Sequence, residues 1–311
     1  VYKRQSLTRA LAYHYLMADG TPFQSQEGWQ TMQYNQEFNG RDPRMAQTIA
    51  APDYVAVGAD ASSKYYPSCK DYERSGYRPI KYFSDDTHDG ATTSTTDYAI
   101  FRYGEVLLNY VEAKAELGQA DQSVIDETIN VIRARVGMPG LDVAKANAAP
   151  DSFLSSYYTD KHLEGADKGL ILEIRRERTV ELVNEGFRLW DMLRWHEGQQ
   201  ICPASNTLGP GFIGCWFPGL GEYDMNNDGK PDLCIYSGST PQTDCDNTLN
   251  VAPGKENTLS EGTSGYLVQF KDQTYKWEEK DYLYPIPNKQ MQIYPIDETT
   301  GKSVLTQNPG Y

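Results

Sequence analysis

Four glutamates recur at every fourth position within one short segment: Glu173, Glu177, Glu181 and Glu185. Four-residue spacing keeps side chains near one side of an α-helix. Arg175, Arg176 and Arg178 interleave with them at three- and four-residue distances. Each carboxylate then has a guanidinium within reach, which favours its ionised form. The pattern predicts a helix over residues 169–184 whose charges form a salt-bridge network tying it to its neighbours. After Gly186 the stretch Phe187-Arg188-Leu189-Trp190-Asp191-Met192-Leu193-Arg194-Trp195 predicts a shorter helix over 187–197. In it Trp190 stands four residues from Arg194, and Asp191 three from both Arg188 and Arg194. Aromatic rings and guanidiniums at that spacing build helix-pair architecture.

Glycoside hydrolysis also uses two carboxylates, one of them with a raised pKa. An arginine at each turn opposes that raised pKa, so these glutamates are read as structural and the chain as not an enzyme.

Two further helical patterns come earlier. Thr95, Thr96 and Asp97 offer N-caps for a helix reaching Leu117 and stopping at Gly118, with the apolar face Ile100, Tyr103, Leu107, Tyr110 and Val111. Asp121 opens a second, with the stripe Ile125, Ile129, Ile132 and Val136, ended by Gly137 and Pro139. The short link between them makes an antiparallel hairpin. A helical spacing at Leu7, Ala10, Leu11, Tyr15 and Leu16 stops at the turn Asp19-Gly20-Thr21-Pro22. The division expected is a helical core over 95–198, a Gly- and Pro-rich insertion over 199–280, and a tail over 281–311. That tail, broken by Pro285, Pro287, Pro295 and Pro309, is expected to run extended over the helices. The fold class is mainly α, with a loop-rich, irregular C-terminal region.

Charge narrows the partners. With 29 basic and 43 acidic residues the chain carries −14, which repels phosphate backbones and anionic lipid alike. No nucleic acid is expected, and a neutral polar ligand suffers no such penalty. Tyrosine is abundant, 23 copies against 9 Phe and 5 Trp, and it joins a flat apolar ring to a hydroxyl. No run of 18 apolar residues is present, and no signal segment opens the chain, which is read as a fragment. Four of five cysteines, Cys202, Cys215, Cys234 and Cys245, crowd into the insertion. They are expected to form disulfides of undetermined connectivity, with zinc the weaker alternative and Cys69 left as a free thiol.

Several short stretches together resemble the SusD/RagB family. They are Glu177-Arg178, Glu181-Leu182, Glu185-Gly186-Phe187-Arg188 and Asp191-x-x-Arg194-Trp195, then Tyr282-Leu-Tyr-Pro-Ile-Pro287 and the terminal Gln307-Asn-Pro-Gly-Tyr311. Arg102-Tyr103-x-Glu105 with Glu112-Ala113, Ile129-Asn130 with Arg133-Ala-Arg135, and upstream Asp19-Gly20 and Gly40-Arg-Asp-Pro-Arg44 fit as well. The resemblance implies a mainly helical fold with tetratricopeptide-like repeats. It also implies an outer-membrane lipoprotein of Bacteroidetes-type bacteria that captures oligosaccharides beside a TonB-dependent transporter of the SusC type. Membrane attachment would be through a lipid anchor outside this chain, in the family's N-terminal part.

Non-catalytic capture of a sugar needs flat rings with donors and acceptors beside them. The irregular segment offers Tyr54, Tyr65, Tyr66, Tyr72, Tyr77, Tyr82 and Phe83, with Asp53, Lys64 and Asp71 between them. The ligand-binding residues expected are Tyr54, Tyr65 and Tyr66, with Trp29 behind them; Tyr77 sits in Gly76-Tyr77-Arg78-Pro79, which resembles a structural turn of the family. A second candidate is Asp224-x-Asn226-x-Asp228-Gly229-x-x-Asp232, whose oxygens stand at positions 1, 3, 5 and 9 of a calcium loop, with the Lys230 carbonyl at position 7. Ile235 replaces the bidentate Glu of position 12, so this is no EF-hand. The cation expected is a structural Ca²⁺, with no cofactor required; a polar turn at Asn227-Asp228-Gly229 is the plainer alternative. A protein-binding helical scaffold and, further off, a glycoside hydrolase are the competing functional classes.

Overall fold

The computed structural model describes residues 6–60, 63–70, 73–83, 95–159, 163–202, 212–273, 275–301 and 303–311. Three short helices come first, α1 (Arg9–His14), α2 (Tyr34–Glu37) and α3 (Pro43–Thr48). The helical centre follows: α4 (Tyr103–Glu116), α5 (Gln122–Glu127), α6 (Ile129–Arg135), α7 (Val143–Ala148), α8 (Ser152–Tyr157), α9 (Lys168–Glu181) and α10 (Arg188–Arg194). Helical elements predominate, as the periodicities predict. Aspartates start several of them: Asp121, Asp142 and Asp151 each accept a hydrogen bond from the backbone N–H three residues on, satisfying an amide that the helix leaves unpaired.

Two helices differ from their predicted extents. The first long helix begins at Tyr103 rather than near Asp97. Arg102, in extended conformation, is tied through its guanidinium to Glu181 and Glu185 of the α9 region, and the helix starts where that tether holds the chain. The expected 121–136 helix is broken into α5 and α6 at Thr128 (φ −124°, ψ −89°). The Thr128 hydroxyl donates to the Val124 carbonyl 2.5 Å away, and a threonine bonding back to position i−4 bends a helix.

The insertion is not merely loop. It holds β1 (Phe212–Phe217), β2 (Gly221–Tyr223), β3 (Leu233–Tyr236), β4 (Asn247–Asn250), β5 (Thr258–Leu259) and β6 (Gly265–Gln269). They form two three-stranded sheets, ordered β1-β6-β5 and β2-β3-β4, with β3 and β4 parallel. Strands of two to six residues between glycines and prolines are too short to show a period in sequence.

The expected cysteine staple is also corrected: Cys202, Cys215, Cys234 and Cys245 are all free thiols, as is Cys69. Cys215 points from β1 into the core beside Cys69, whereas Cys234 lies in β3 and Cys202 follows α10. Cohesion comes instead from three apolar clusters. One joins α1–α3 to the sheets, one joins α1 to α8 and α10, and one lies between α4, α5, α6 and α9. Helix α9 feeds all three, through Val180, through Leu172, and through Leu170 with Ile174.

The tail is not plain extended chain, for it includes α11 (Asn288–Ile293). Ahead of it the Trp277 ring lies flat on Gly198, where a Cβ would stand 2.0 Å from the ring, so only glycine fits. Tyr282 stacks on His196 at 4.1 Å and accepts a hydrogen bond from the Gly198 N–H.

Candidate functional site

The glutamates of α9 are paired, but mostly not with the arginines of their own helix. Glu177 receives Arg133 Nε at 2.6 Å and Arg44 Nη1 at 3.0 Å. Glu181 receives Arg135 at 2.7 Å and Arg102 at 3.0 Å, and Glu185 receives Arg102 at 2.7 Å together with Lys81. The helix's own arginines turn elsewhere: Arg176 to Asp151 at 2.6 Å, Arg178 to Asp191 at 2.9 Å and Asn109 at 2.7 Å. Glu173–Arg176, 3.3 Å apart, is a pair within the helix. Burial by itself would raise the Glu177 carboxyl, but Arg133 and Arg44 outweigh it and hold it down at about 2. Beside Glu181 a cavity of about 410 Å³ is lined by Arg44, Lys81, Arg102 and Arg135, with no second acid among the described lining residues. A carboxyl held that low, as Glu177 is, stays ionised and is not the protonated general acid that glycosidic cleavage requires.

The predicted aromatic residues separate into two places. Trp29, partly buried, packs edge-on against Tyr13 (5.0 Å) and Phe23 (6.4 Å) beside the α1–α8 cluster. Tyr54 and Tyr65 come together instead. Their rings meet edge to face at 6.3 Å, and the Tyr65 N–H donates to the Tyr54 carbonyl at 2.8 Å. The Arg78 guanidinium lies over the Tyr65 ring on one side and the Phe83 ring on the other, 5.4 and 5.0 Å from their centroids. Burial pushes the Tyr65 phenol well up, and its hydroxyl has no hydrogen-bond partner among the described residues. Asp53 and Lys64 beside the pair are exposed. Tyr77 is fully buried and donates to Glu37 at 2.6 Å, the structural role its turn motif implies. Tyr72 and Asp71 lie outside the described residues.

Tyr66 belongs with the acidic loop. Its hydroxyl donates to Asp246 at 2.8 Å, and burial together with Asp246 pushes its pKa up to about 12, with Asp232 and Asp228 adding to the shift. Nothing in the sequence signals Asp246, 180 residues away.

Within the loop, Asp224 accepts from the N–H groups of Asp228 (3.2 Å) and Gly229 (2.8 Å). Asp228 accepts from the Lys230 N–H at 2.9 Å, and Asp232 from the Met225 N–H at 2.8 Å. Asn226 and Asp232 are buried, and Asn226 reaches toward both Asp228 and Asp232. Asn35 of α2 closes the loop from outside, donating to the Asp224 carbonyl and to Asn227. Asn227 and Gly229 have positive φ of 60° and 85°, the conformations that let the chain wrap round its own carboxylates. Burial, then Asp228 and Asp224, raise the Asp232 carboxyl above its ordinary value. Among the described residues no three His, Cys, Asp or Glu side chains converge as a ready metal set, so the loop is held by its own amides.

Comparison with known proteins matches this architecture to one family. The model of the SusD family covers residues 1–311, and the chain belongs to that family. A SusD-like protein of Formosa agariphila is 29% identical over 113 residues, 36% of this chain and 20% of the relative. A SusD-like carbohydrate binding protein of Bacteroides fragilis has the same fold, with TM-score 0.58 and 22% identity over 94% of this chain and 50% of that one. A second SusD-like protein of that species gives 0.57 and 21% over 98% of this chain and 47% of the other. The chain thus spans about half the length of the solved proteins it matches, and the stretch it shares with the curated relative is a fifth of that protein.

Proposed function

We propose that this protein binds oligosaccharides without transforming them, at a bacterial cell surface, and passes them to a TonB-dependent outer-membrane transporter of the SusC type. Family membership supports the reading, as does the carbohydrate binding stated for one relative of the same fold. The observation that carries it locally is the Tyr54–Tyr65 pair. Two partly buried rings set edge to face offer an apolar surface to sugar C–H groups. Exposed Asp53 and Lys64 supply further acceptors and donors. Among the described residues no helix is long and apolar enough to cross a membrane, so attachment is assigned to a lipid anchor elsewhere in the protein. Helices α4 and α5–α6 are assigned to one tetratricopeptide-like unit of the family fold.

Screening the full-length protein on a glycan array tests the proposal. Binding of at least one oligosaccharide class is expected, with no new reducing ends on prolonged incubation. Turnover would move the protein to the hydrolases, and an array without binders would favour the protein scaffold.

The 224–232 loop is assigned a structural Ca²⁺ held by Asp224, Asn226, Asp228, the Lys230 carbonyl and Asp232. Oxygen ligands at the spacing a hard cation takes, together with a buried carboxyl raised by two other aspartates, support it. A closed set of oxygens orders the chain and leaves no open position for chemistry.

A further inference from the structure

Cys69 and Cys215 are distant in sequence and adjacent in space. Both are fully buried, and both belong to the apolar cluster that joins the first helices to the sheets. Gly76 bounds their separation. A Cβ on that glycine would stand 2.3 Å from the Cys215 sulfur and 3.5 Å from the Cys69 sulfur, so the two sulfurs are no further apart than those distances added together. The backbones around them are held as closely. The Cys215 N–H donates to the Ser75 carbonyl at 2.8 Å, and a Cβ on Gly214 would stand 2.2 Å from that carbonyl oxygen, so β1 lies flush against residues 75–76. Cys69 has a positive φ of 54°, a conformation that a residue other than glycine keeps only where its surroundings impose it. Asn257 helps to impose it, donating to the Cys69 carbonyl at 2.9 Å.

We propose that Cys69 and Cys215 are a disulfide-forming pair, closed while the chain folds in an oxidising compartment and then sealed in the core. The reaction belongs to folding because burial raises both thiols, so in the closed core neither is a ready thiolate nor open to an oxidant. One thiol, still exposed and deprotonated, attacks the disulfide of an exchange partner, and the second then displaces that partner. One S–S bond forms and one breaks, and the two electrons and two protons leave on the two thiols of the partner. The crosslink joins the insertion to the segment bearing Tyr65 and Tyr66, four and three residues before Cys69. It rests on the cell-surface reading above, since disulfides persist in oxidising compartments.

The test uses the full-length protein isolated from its own cell envelope, denatured with an alkylating agent and no reductant, then digested and weighed by mass spectrometry. The expected product is the Cys69 and Cys215 peptides joined, lighter by two hydrogens than the two free peptides together. A second sample is reduced and refolded with oxidised glutathione. Alkylation of both thiols in both samples would overturn the proposal, as would either cysteine joined to a different one. Free thiols in the envelope sample with the crosslink formed on refolding would uphold the pair and overturn the cell-surface reading instead. Equilibrium urea unfolding is an independent measure. Reductant should lower the midpoint of the native protein by about 1 M and leave that of the Cys69→Ala/Cys215→Ala variant unmoved. A native midpoint indifferent to reductant, or an equal shift in the variant, would overturn the pair as well.

Discussion

Helix α9 and the 224–232 loop are both crowded with carboxylates, yet their electrostatics are opposite. On α9 each buried acid meets guanidinium groups brought from other elements, and Glu177 is held ionised at about 2. In the loop, Asp224, Asp228 and Asp232 share backbone amides with one another, make no ion pair among the described residues, and the Asp232 carboxyl is raised. The number of acids does not separate the two regions. The supply of cations does: neighbouring elements bring guanidinium groups to the acids of α9, and none reaches the loop among the described residues.

Breaking the helix side should have the greatest consequence. Glu177→Ala leaves Arg44 and Arg133 buried without their shared acid, and such a loss costs about 3–5 kcal/mol; urea unfolding should show it, and a change below about 1 kcal/mol would mean the braces are dispensable. Acid probes the same contrast without mutation. The Glu177 pKa is lowered from 4.5 to about 2 on folding, so its contribution is complete above 4.5 and disappears as the pH falls toward 2. That contribution is roughly 3 kcal/mol at about 1.4 kcal/mol per unit. Asp232 is shifted the other way, so acidification should relieve the loop while it weakens the helix. Hydrogen exchange measured through pH 5 to 3 should show protection falling in α9 before it falls in the loop.

On the loop side, Ca²⁺ at 100 times its Kd should add about 2.7 kcal/mol of stability, removed by chelator and by Asp228→Asn. A melting temperature indifferent to chelator would discard the metal. For the sugar surface, Tyr54→Ala should weaken oligosaccharide binding about tenfold, near 1.4 kcal/mol, by isothermal titration, with Trp29→Phe, in a separate packing cluster, leaving affinity unchanged. Smallest of all, Tyr66→Phe removes one hydrogen bond to Asp246 and should cost about 1 kcal/mol in the same unfolding assay.

Much of the helical framework was legible from spacing alone. Asp121 caps α5 where the pattern places it, α9 begins one residue ahead of its predicted span, and α10 lies within its own. The misses have local causes. Thr128 breaks a helix whose apolar stripe runs on through it, Arg102 delays the start of α4, and the strands of the insertion are too short to show alternation. The apolar face expected on the first long helix was in fact two faces, for Leu107 and Val111 are buried while Tyr103 and Tyr110 are not. At the candidate site the sequence offered the rings singly; that Tyr54 meets Tyr65, that Trp29 packs edge-on against Tyr13 and that Tyr66 donates to Asp246 are set by the fold.

Periodicity and residue chemistry were sufficient for the presence of the helices, because helix formation follows from neighbours a few residues apart, and they gave the ionised state of the α9 glutamates without giving their partners. Which cations do the neutralising was decided only by the fold. A side chain buried between packed elements meets whatever those elements present, and Arg44, Arg102, Arg133 and Arg135 reach α9 from segments distant in the chain. The cysteines show the same limit from the other side, since crowding along the sequence did not become disulfide bonding.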